Sequence, residues 1–286
     1  MSPKVWLITG TSSGFGSLLA KAALKHGDKV IATARDAAKI EDLKALGAAT
    51  LALDVVDDEE NIKKIIANAV SIYGRIDILV NNAAYILEGA VEESSGAEVF
   101  KIFDTNVFGP LKVIRAVLPY MRERRSGVVA NMGSVGGWRG GAGASMYCST
   151  KFAIAGITES LRPELQSLGI DAVVIEPGYF RTNFLSPGHR TASAIRIPDY
   201  DTVMEPLRNV FDTYDQKQPG DPEKGAQVIV EILTKSGRVA GMTIPARIPL
   251  GSDAVSIIDG MCHETLKLLG EWKEISASTD HDDVKK

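Results

Sequence analysis

Apolar runs of four to six residues recur along the chain and are separated by amphipathic stretches of helical length. The runs are Val5 to Ile8, Lys29 to Ala34, Thr50 to Leu53, Ile76 to Val80, Val128 to Met132, Asp171 to Ile175 and Gly241 to Pro245. Helical patterns cover 15–26, 37–46, 57–73, 97–123, 147–168, 222–235 and 252–270. A short continuous apolar run is what a strand buried on both faces requires, and such strands belong to parallel sheets with helical crossovers. The alternation predicts an α/β fold: a single-domain, Rossmann-type, doubly wound parallel sheet of about seven strands with helices on both faces. That domain occupies 1–275, and 276–286 is a charged tail with no assigned role.

Residues 178–222 break the rhythm after the sixth strand, with Pro187, Pro198, Pro206 and Pro219 and no strand pattern. Open α/β sheets bind ligands at the carboxyl ends of their strands, so this insertion reads as a substrate lid; the alternative is an idle surface loop. Tyr179, Phe180, Phe184, Ile195, Ile197, Tyr200, Val203, Met204, Leu207, Val210, Phe211 and Tyr214 lie within it, and Trp138 lies elsewhere. They suit a hydrophobic substrate wall, or equally the buried face of a lid helix. Arg139 and Arg181 would leave room for an acidic group.

Composition narrows the classes. Of 286 residues, 45% are apolar and 24% charged, and the net charge is −4. This excludes a disordered chain and argues against nucleic acid as a partner. Cys148 and Cys262 are too few for a disulfide framework, which points to reduced thiols and a cytoplasmic location. No segment reaches the length of a membrane span. His26, His189, His263 and His281 are scattered, so no metal site is expected.

After the first strand come Thr9-Gly10-Thr11-Ser12-Ser13-Gly14-Phe15-Gly16 and then a helical run. Glycines at 10, 14 and 16 allow a tight turn and a close backbone approach to a pyrophosphate facing the helix N-terminus, and Ser12 and Ser13 can add hydroxyl donors. At the end of the second strand stands Arg35, where an acid would bind a ribose 2′-hydroxyl and an Arg a 2′-phosphate. The choice favours NADP(H), with NAD(H) left open. Further on, Tyr147 and Lys151 fall on one helix face by their i, i+4 spacing, and a neighbouring ammonium lowers a phenol's pKa. Tyr147 is then a candidate general acid/base, and Ser134, after the fifth strand, a hydrogen-bond donor to a substrate oxygen.

Together these elements resemble the short-chain dehydrogenase/reductase family, in particular its longer steroid- and retinol-dehydrogenase-like members. The family's motifs occur in order: Thr9 to Gly16, Asn81-Asn82-Ala83-Ala84, Asn106, Ser134, Tyr147, Lys151, and Pro177-Gly178 to Thr182. Pro245 to Gly251 is similar to the family's last-strand segment. The resemblance implies roles. Tyr147 exchanges the proton, Ser134 holds the substrate oxygen, Lys151 lowers the Tyr147 pKa and binds the nicotinamide ribose, and Asn106 anchors a relay water. Around the cofactor it implies Gly10, Ser12, Ser13, Gly14, Phe15, Gly16, Arg35, Asp54, Val55, Asn81, Ala83, Tyr147, Lys151, Pro177, Gly178, Phe180 and Thr182. It also implies a homodimer or homotetramer through the helices at 97–123 and 147–168.

Two departures stand out: Phe15 replaces a small aliphatic residue between glycines, and Ala84 replaces a glycine. Both reshape the cofactor floor without removing a chemical group. The expectation is an NADP(H)-dependent oxidoreductase, a ketoreductase acting on a lipophilic carbonyl compound or secondary alcohol. The alternatives are an unusual reaction on the same scaffold (imine reduction, epimerisation, cyclisation) or a non-catalytic NADP(H) sensor.

Overall fold

The computed structural model describes residues 2–186, 189–281 and 283–284. Expectations touching Met1, Pro187, Asp282, Lys285 and Lys286 lie outside the described residues.

Seven strands, β1 (Val5–Ile8), β2 (Lys29–Ala34), β3 (Ala49–Ala52), β4 (Ile78–Asn81), β6 (Gly127–Met132), β7 (Ile170–Pro177) and β9 (Arg247–Leu250), form one parallel sheet. Its order is β3-β2-β1-β4-β6-β7-β9. The chain runs outward from β1 to β3, then crosses to β4 on the other side of β1. This reversal opens a crevice at the carboxyl ends of β1 and β4. A separate parallel pair, β5 (Ile86–Glu88) and β8 (Arg190–Ala192), stands apart from the sheet.

The helices are α1 (Gly14–Lys25), α2 (Glu41–Ala45), α3 (Glu59–Tyr73), α4 (Gly96–Phe103), α5 (Gly109–Glu123), α6 (Ser145–Gln166), α7 (Asp201–Tyr214), α8 (Pro222–Thr234) and α9 (Ser252–Ala277). Strand alternation divides the core between the faces of the sheet. Trp6 and Ile8 pack with Leu19 and Ala23 of α1 and Ile229 and Val230 of α8. Val5 and Leu7 face the opposite way, against Ile62 and Ile66 of α3 and Val113 and Val117 of α5. Starts are set locally: Asp58 accepts the Asn61 N–H before α3, Ser95 and Glu98 form a capping box at α4, and Asp221 with Pro222 opens α8.

Four expectations need correction. The seventh strand is Arg247–Leu250 and not Gly241 to Pro245, because Gly241 sits at φ +81° in a turn and the pairing with β7 begins at Arg247. The pattern at 97–123 is interrupted by a π-helical turn at Asp104–Phe108, invisible to periodicity because its apolar positions continue. Residues 178–222 contain a strand, β8, and a full helix, α7. Finally, α9 runs through Ala277, so the last element overruns both its expected end and the expected tail boundary. No helix among the described residues is long and apolar enough to cross a membrane.

Candidate active site

A cleft of about 820 Å³ opens at the carboxyl ends of β1 and β4, where the sheet order reverses. The turn after β1 forms one wall. Gly10 takes φ +68°, and a Cβ there would lie 2.8 Å from the Ala83 Cα, so the turn packs directly on the backbone after β4. Gly14 takes φ +54°, lines the cleft, and has only Thr182 near its absent Cβ, at 3.7 Å. The N-cap Ser13 makes no side-chain cap, and the first turn of α1 holds no acid. Uncapped N–H groups beside a cleft are a fitting seat for a pyrophosphate. Gly10, Ser12, Ser13, Gly14 and Phe15 all line it.

Gly16 does not. A Cβ there would fall 2.3 Å from the Gly10 carbonyl and 2.5 Å from the Asn82 amide, so this glycine lets the helix close on its own turn. Asn82 ties that turn together by donating to the Thr9 and Gly10 carbonyls, at 3.0 and 2.9 Å. This brace was overlooked in the sequence although the motif carrying it was read. Its neighbour Asn81 is buried, donates to Asn131 at 2.9 Å and is absent from the cleft wall.

Farther along, Arg35 lines the cleft, is exposed and makes no ion pair among the described residues. Its neighbour Asp36 is committed to the Ala38 N–H. Asp54 both lines the cleft with Val55 and accepts the Val56 N–H at 3.2 Å, so cap and wall are one role. Ala83, Ala84, Pro177, Gly178, Phe180 and Thr182 also line the cleft. Phe15 meets Phe180 edge to face at 5.0 Å, and Gly225 of α8 makes room for both rings.

Tyr147 and Lys151 lie on the first two turns of α6, and Ser134 follows β6; all three line the cleft. Burial raises the Tyr147 phenol above its ordinary pKa of 10, and the Ser134 hydroxyl pulls it partly back. Burial pushes the Lys151 ammonium down to about 8. Lys151 Nζ lies 5.6 Å from the centre of the Tyr147 ring and donates to the Met132 carbonyl at 2.6 Å. Burial is the largest effect on the Tyr147 phenol, so its pKa is raised, where the resemblance implied a lowering by Lys151.

Asn106 stands behind the wall, in the π-helical turn. Its Oδ1 accepts the Tyr85 N–H at 3.2 Å, and its Nδ2 donates to the Tyr85 carbonyl and the Thr150 hydroxyl at 3.0 and 3.2 Å. Its amide hydrogens are engaged, and it positions Tyr85, which does line the cleft.

Beyond Tyr147 the wall is apolar. Leu207, Val210 and Phe211 of α7 face it with Phe184, Leu185, Tyr85 and Ile86. None of the three residues of α7 that face the cleft is buried. Ile195 and Val203 are exposed, Met204 is buried against Gly143, Tyr214 packs on Tyr179 and Tyr200 donates to Glu92. These five and Ile197 are absent from the wall. Trp138 is also turned away: its indole donates to buried Glu176 at 2.8 Å beneath the Arg247 guanidinium. Arg139 lines the cleft, whereas Arg181 is drawn off to the Gln218 carbonyl. His189, Thr191, Asn183 and Ile257 also line it, and no local motif marked them.

The family model for short chain dehydrogenase matches residues 4–192. The uncharacterised oxidoreductase YusZ of Bacillus subtilis is 37% identical over 246 residues, covering 82% of this chain and 86% of that protein. Retinol dehydrogenase 8 of Homo sapiens is 39% identical over 195 residues, covering 64% of this chain and 61% of that protein. The crystal structure of a short-chain dehydrogenase from Streptomyces avermitilis matches with a TM-score of 0.88 at 41% identity, covering 98% of this chain and 100% of that one. Solved proteins of 25% and 26% identity carry NADP in one case and NADH in the other.

Proposed function

The chain belongs to the short-chain dehydrogenase family and is a nicotinamide-dependent oxidoreductase; from that premise we propose that it prefers NADP(H) and interconverts a carbonyl and a secondary alcohol on a lipophilic small molecule. The observation that carries the reading is the meeting of Tyr147, Ser134 and Lys151 in the same cleft as the uncapped start of α1.

A nicotinamide dinucleotide held there supplies the hydride on reduction and takes it up on oxidation. Gly10, Ser12, Ser13, Gly14, Phe15 and the α1 N-terminus would receive its pyrophosphate, Arg35 its 2′-phosphate and Asp54 with Val55 its adenine end. Ala83, Pro177, Gly178, Phe180 and Thr182 frame the nicotinamide end. On reduction, the carbonyl carbon gains the hydride and the C=O π pair moves onto oxygen. That oxygen takes the Tyr147 phenolic proton and becomes the alcohol, leaving the O–H bonding pair on a phenolate. The Ser134 hydroxyl donates a hydrogen bond to the same oxygen. A phenolate is costly at so buried a position, and the Lys151 ammonium offsets that cost. Oxidation reverses each step.

The apolar wall of Phe184, Leu185, Leu207 and Phe211 favours a lipophilic substrate, with 178–222 as the lid of a catalytic domain spanning 1–275. We place the enzyme in the cytoplasm, as a homodimer or homotetramer through α4, α5 and α6. Exposed Phe100, Phe108 and Phe152 on that surface support the assembly.

The test is Tyr147→Phe assayed against a panel of lipophilic ketones and alcohols. Turnover should fall by about 10²-fold or more while NADPH affinity, read by fluorescence titration, stays within about twofold. Undiminished turnover would discard the proposed chemistry.

A further inference from the structure

Near the carboxyl end of β7 lies Glu176, a carboxylate with no exposed surface and no part in the chemistry proposed above. The indole N–H of Trp138 donates to its Oε2 at 2.8 Å, and Nε of Arg247, on β9, donates to both of its oxygens at 3.1 Å. The Arg247 guanidinium also lies over the Trp138 ring, 3.9 Å from its centre, and its Nη2 donates to the Gly137 carbonyl at 3.1 Å. Replacing a buried ion pair by apolar side chains of similar volume is often neutral or stabilising, so stability alone does not account for this one.

Both outward contacts of the pair, to Gly137 and to Trp138, fall on the segment that follows β6 and carries Ser134. The start of that segment is fixed on β7. There the Gly133 N–H donates to the Ile175 carbonyl at 2.7 Å, and a Cβ at position 133 would lie 2.6 Å from Val174 and 3.0 Å from the Glu176 side chain. Ser134 then opens a 3-10 turn, Val135–Gly137, with its hydroxyl oxygen accepting the Gly136 N–H at 3.0 Å. That bond leaves the hydroxyl hydrogen to a partner in the cleft. At the far end, Gly137 and Trp138 are the residues that Arg247 and Glu176 hold, and an absent Cβ lets Gly137 pack against the Lys151 carbonyl. The direction of the Ser134 O–H is thus set by a turn pinned at both ends.

We propose that Glu176, Arg247 and Trp138 are positioning residues that aim the Ser134 hydroxyl at the reacting oxygen and affect the rate through Ser134 alone. This rests on the role proposed above for Ser134. A misplacement of about 1 Å can cost up to about 10²-fold in rate, so a pinned turn has a kinetic consequence even where the fold survives its loss. Gly10 to Phe15 and Arg35 make none of these contacts, so cofactor affinity is a separate quantity.

The experiment is steady-state kinetics on two variants, each alone and combined with Ser134→Ala. Trp138→Phe keeps a ring beneath the guanidinium and loses the indole N–H. Arg247→Lys keeps a counter-charge for Glu176 and loses the fork that reaches Gly137. Rates are scaled to the folded fraction read from circular-dichroism melts. In each single variant kcat should fall by about five- to tenfold, while KM for a ketone and the affinity for NADPH stay within about twofold. In the Ser134→Ala background the same substitutions should cost less than about twofold. A lowered melt with kcat per folded molecule unchanged would mean a merely structural role and overturns the proposal. So does a loss that appears in NADPH affinity, or one that persists in full without the Ser134 hydroxyl. Where Ser134→Ala is too slow to measure, the division between kcat and KM decides. An undiminished rate in Ser134→Ala itself overturns the role of Ser134 and this inference together, whereas a slow Ser134→Ala beside unaffected Trp138→Phe and Arg247→Lys overturns only the inference.

Discussion

Burial changes the acidity of Lys151. It is buried, its ammonium is pushed down to about 8 from an ordinary 10.5, and one carbonyl holds it. Between those two values the unfolded chain keeps a proton that the folded protein has lost, so stability rises with pH across that window. Below pH 8 both states are protonated and the full cost of burying the charge stands. Lys151→Met should therefore raise the melting temperature relative to wild type most at pH 7 to 8. The gain should shrink as pH approaches about 10, while turnover is lost. Melts at pH 7, 9 and 10 check this, and a gain that does not vary with pH would contradict the assignment. Arg35 is a simpler case, an exposed guanidinium at the cleft with no ion-pair partner among the described residues. Arg35→Ala should weaken NADPH by about tenfold or more and leave NADH nearly unchanged in fluorescence titrations, the difference being the lost bidentate pairing with a 2′-phosphate.

Among the elements, α1 and α8 show how one unusual residue is absorbed. Phe15 sits where the family resemblance implies a small aliphatic side chain, and its ring is accommodated because position 225 has no side chain. A Cβ at Gly225 would lie 2.9 Å from Phe180 and 3.0 Å from Phe15. Gly225→Ala should destabilise the protein by about 1–3 kcal/mol in urea unfolding, as overpacking does. Combining it with Phe15→Leu should recover part of the loss, so that the two substitutions are not additive. An additive double variant would mean the rings are not the obstacle. The turn at Asp104–Phe108 illustrates the opposite situation, where an element was misread. Its widened turn directs Asn106 inward to Tyr85 and Thr150, although the sequence there reads as uninterrupted helix.

Across the molecule, residues 190–214 are joined to β5 by buried charge. Glu88 of β5 meets Arg208 of α7 at 3.0 Å and Arg190 of β8 at 3.3 Å, and its side chain is almost wholly buried. Removing a carboxylate that two guanidiniums share leaves Arg190 with Asp212 alone and Arg208 with the more distant Glu93, at a cost below the roughly 3 kcal/mol of a fully orphaned buried charge. Glu88→Ala should make the segment from 190 to 214 the first site of tryptic cleavage and raise KM for substrate. Dinucleotide affinity should change little, since Arg35, Asp54 and the turn after β1 are untouched. Intact resistance to trypsin would show that the apolar contacts of Leu207 and Phe211 hold the lid by themselves.

The sequence by itself determined the alternation of seven sheet strands with helices, the turn that opens α1 and the Tyr147, Lys151 and Ser134 set. Each depends on spacing within a few residues, on a helix face or at a strand end, where local geometry leaves few alternatives. Only the tertiary structure decided which residues reach the cleft. Gly16, Asn81 and Asn106 belong to its motifs yet stand behind it, and Trp138 turns to Glu176, because partners distant in sequence claim their polar atoms or their space. The same holds for Tyr147, whose phenol is raised by burial despite a lysine one turn away. Desolvation is a sum over everything packed around a group, and no local spacing encodes that sum.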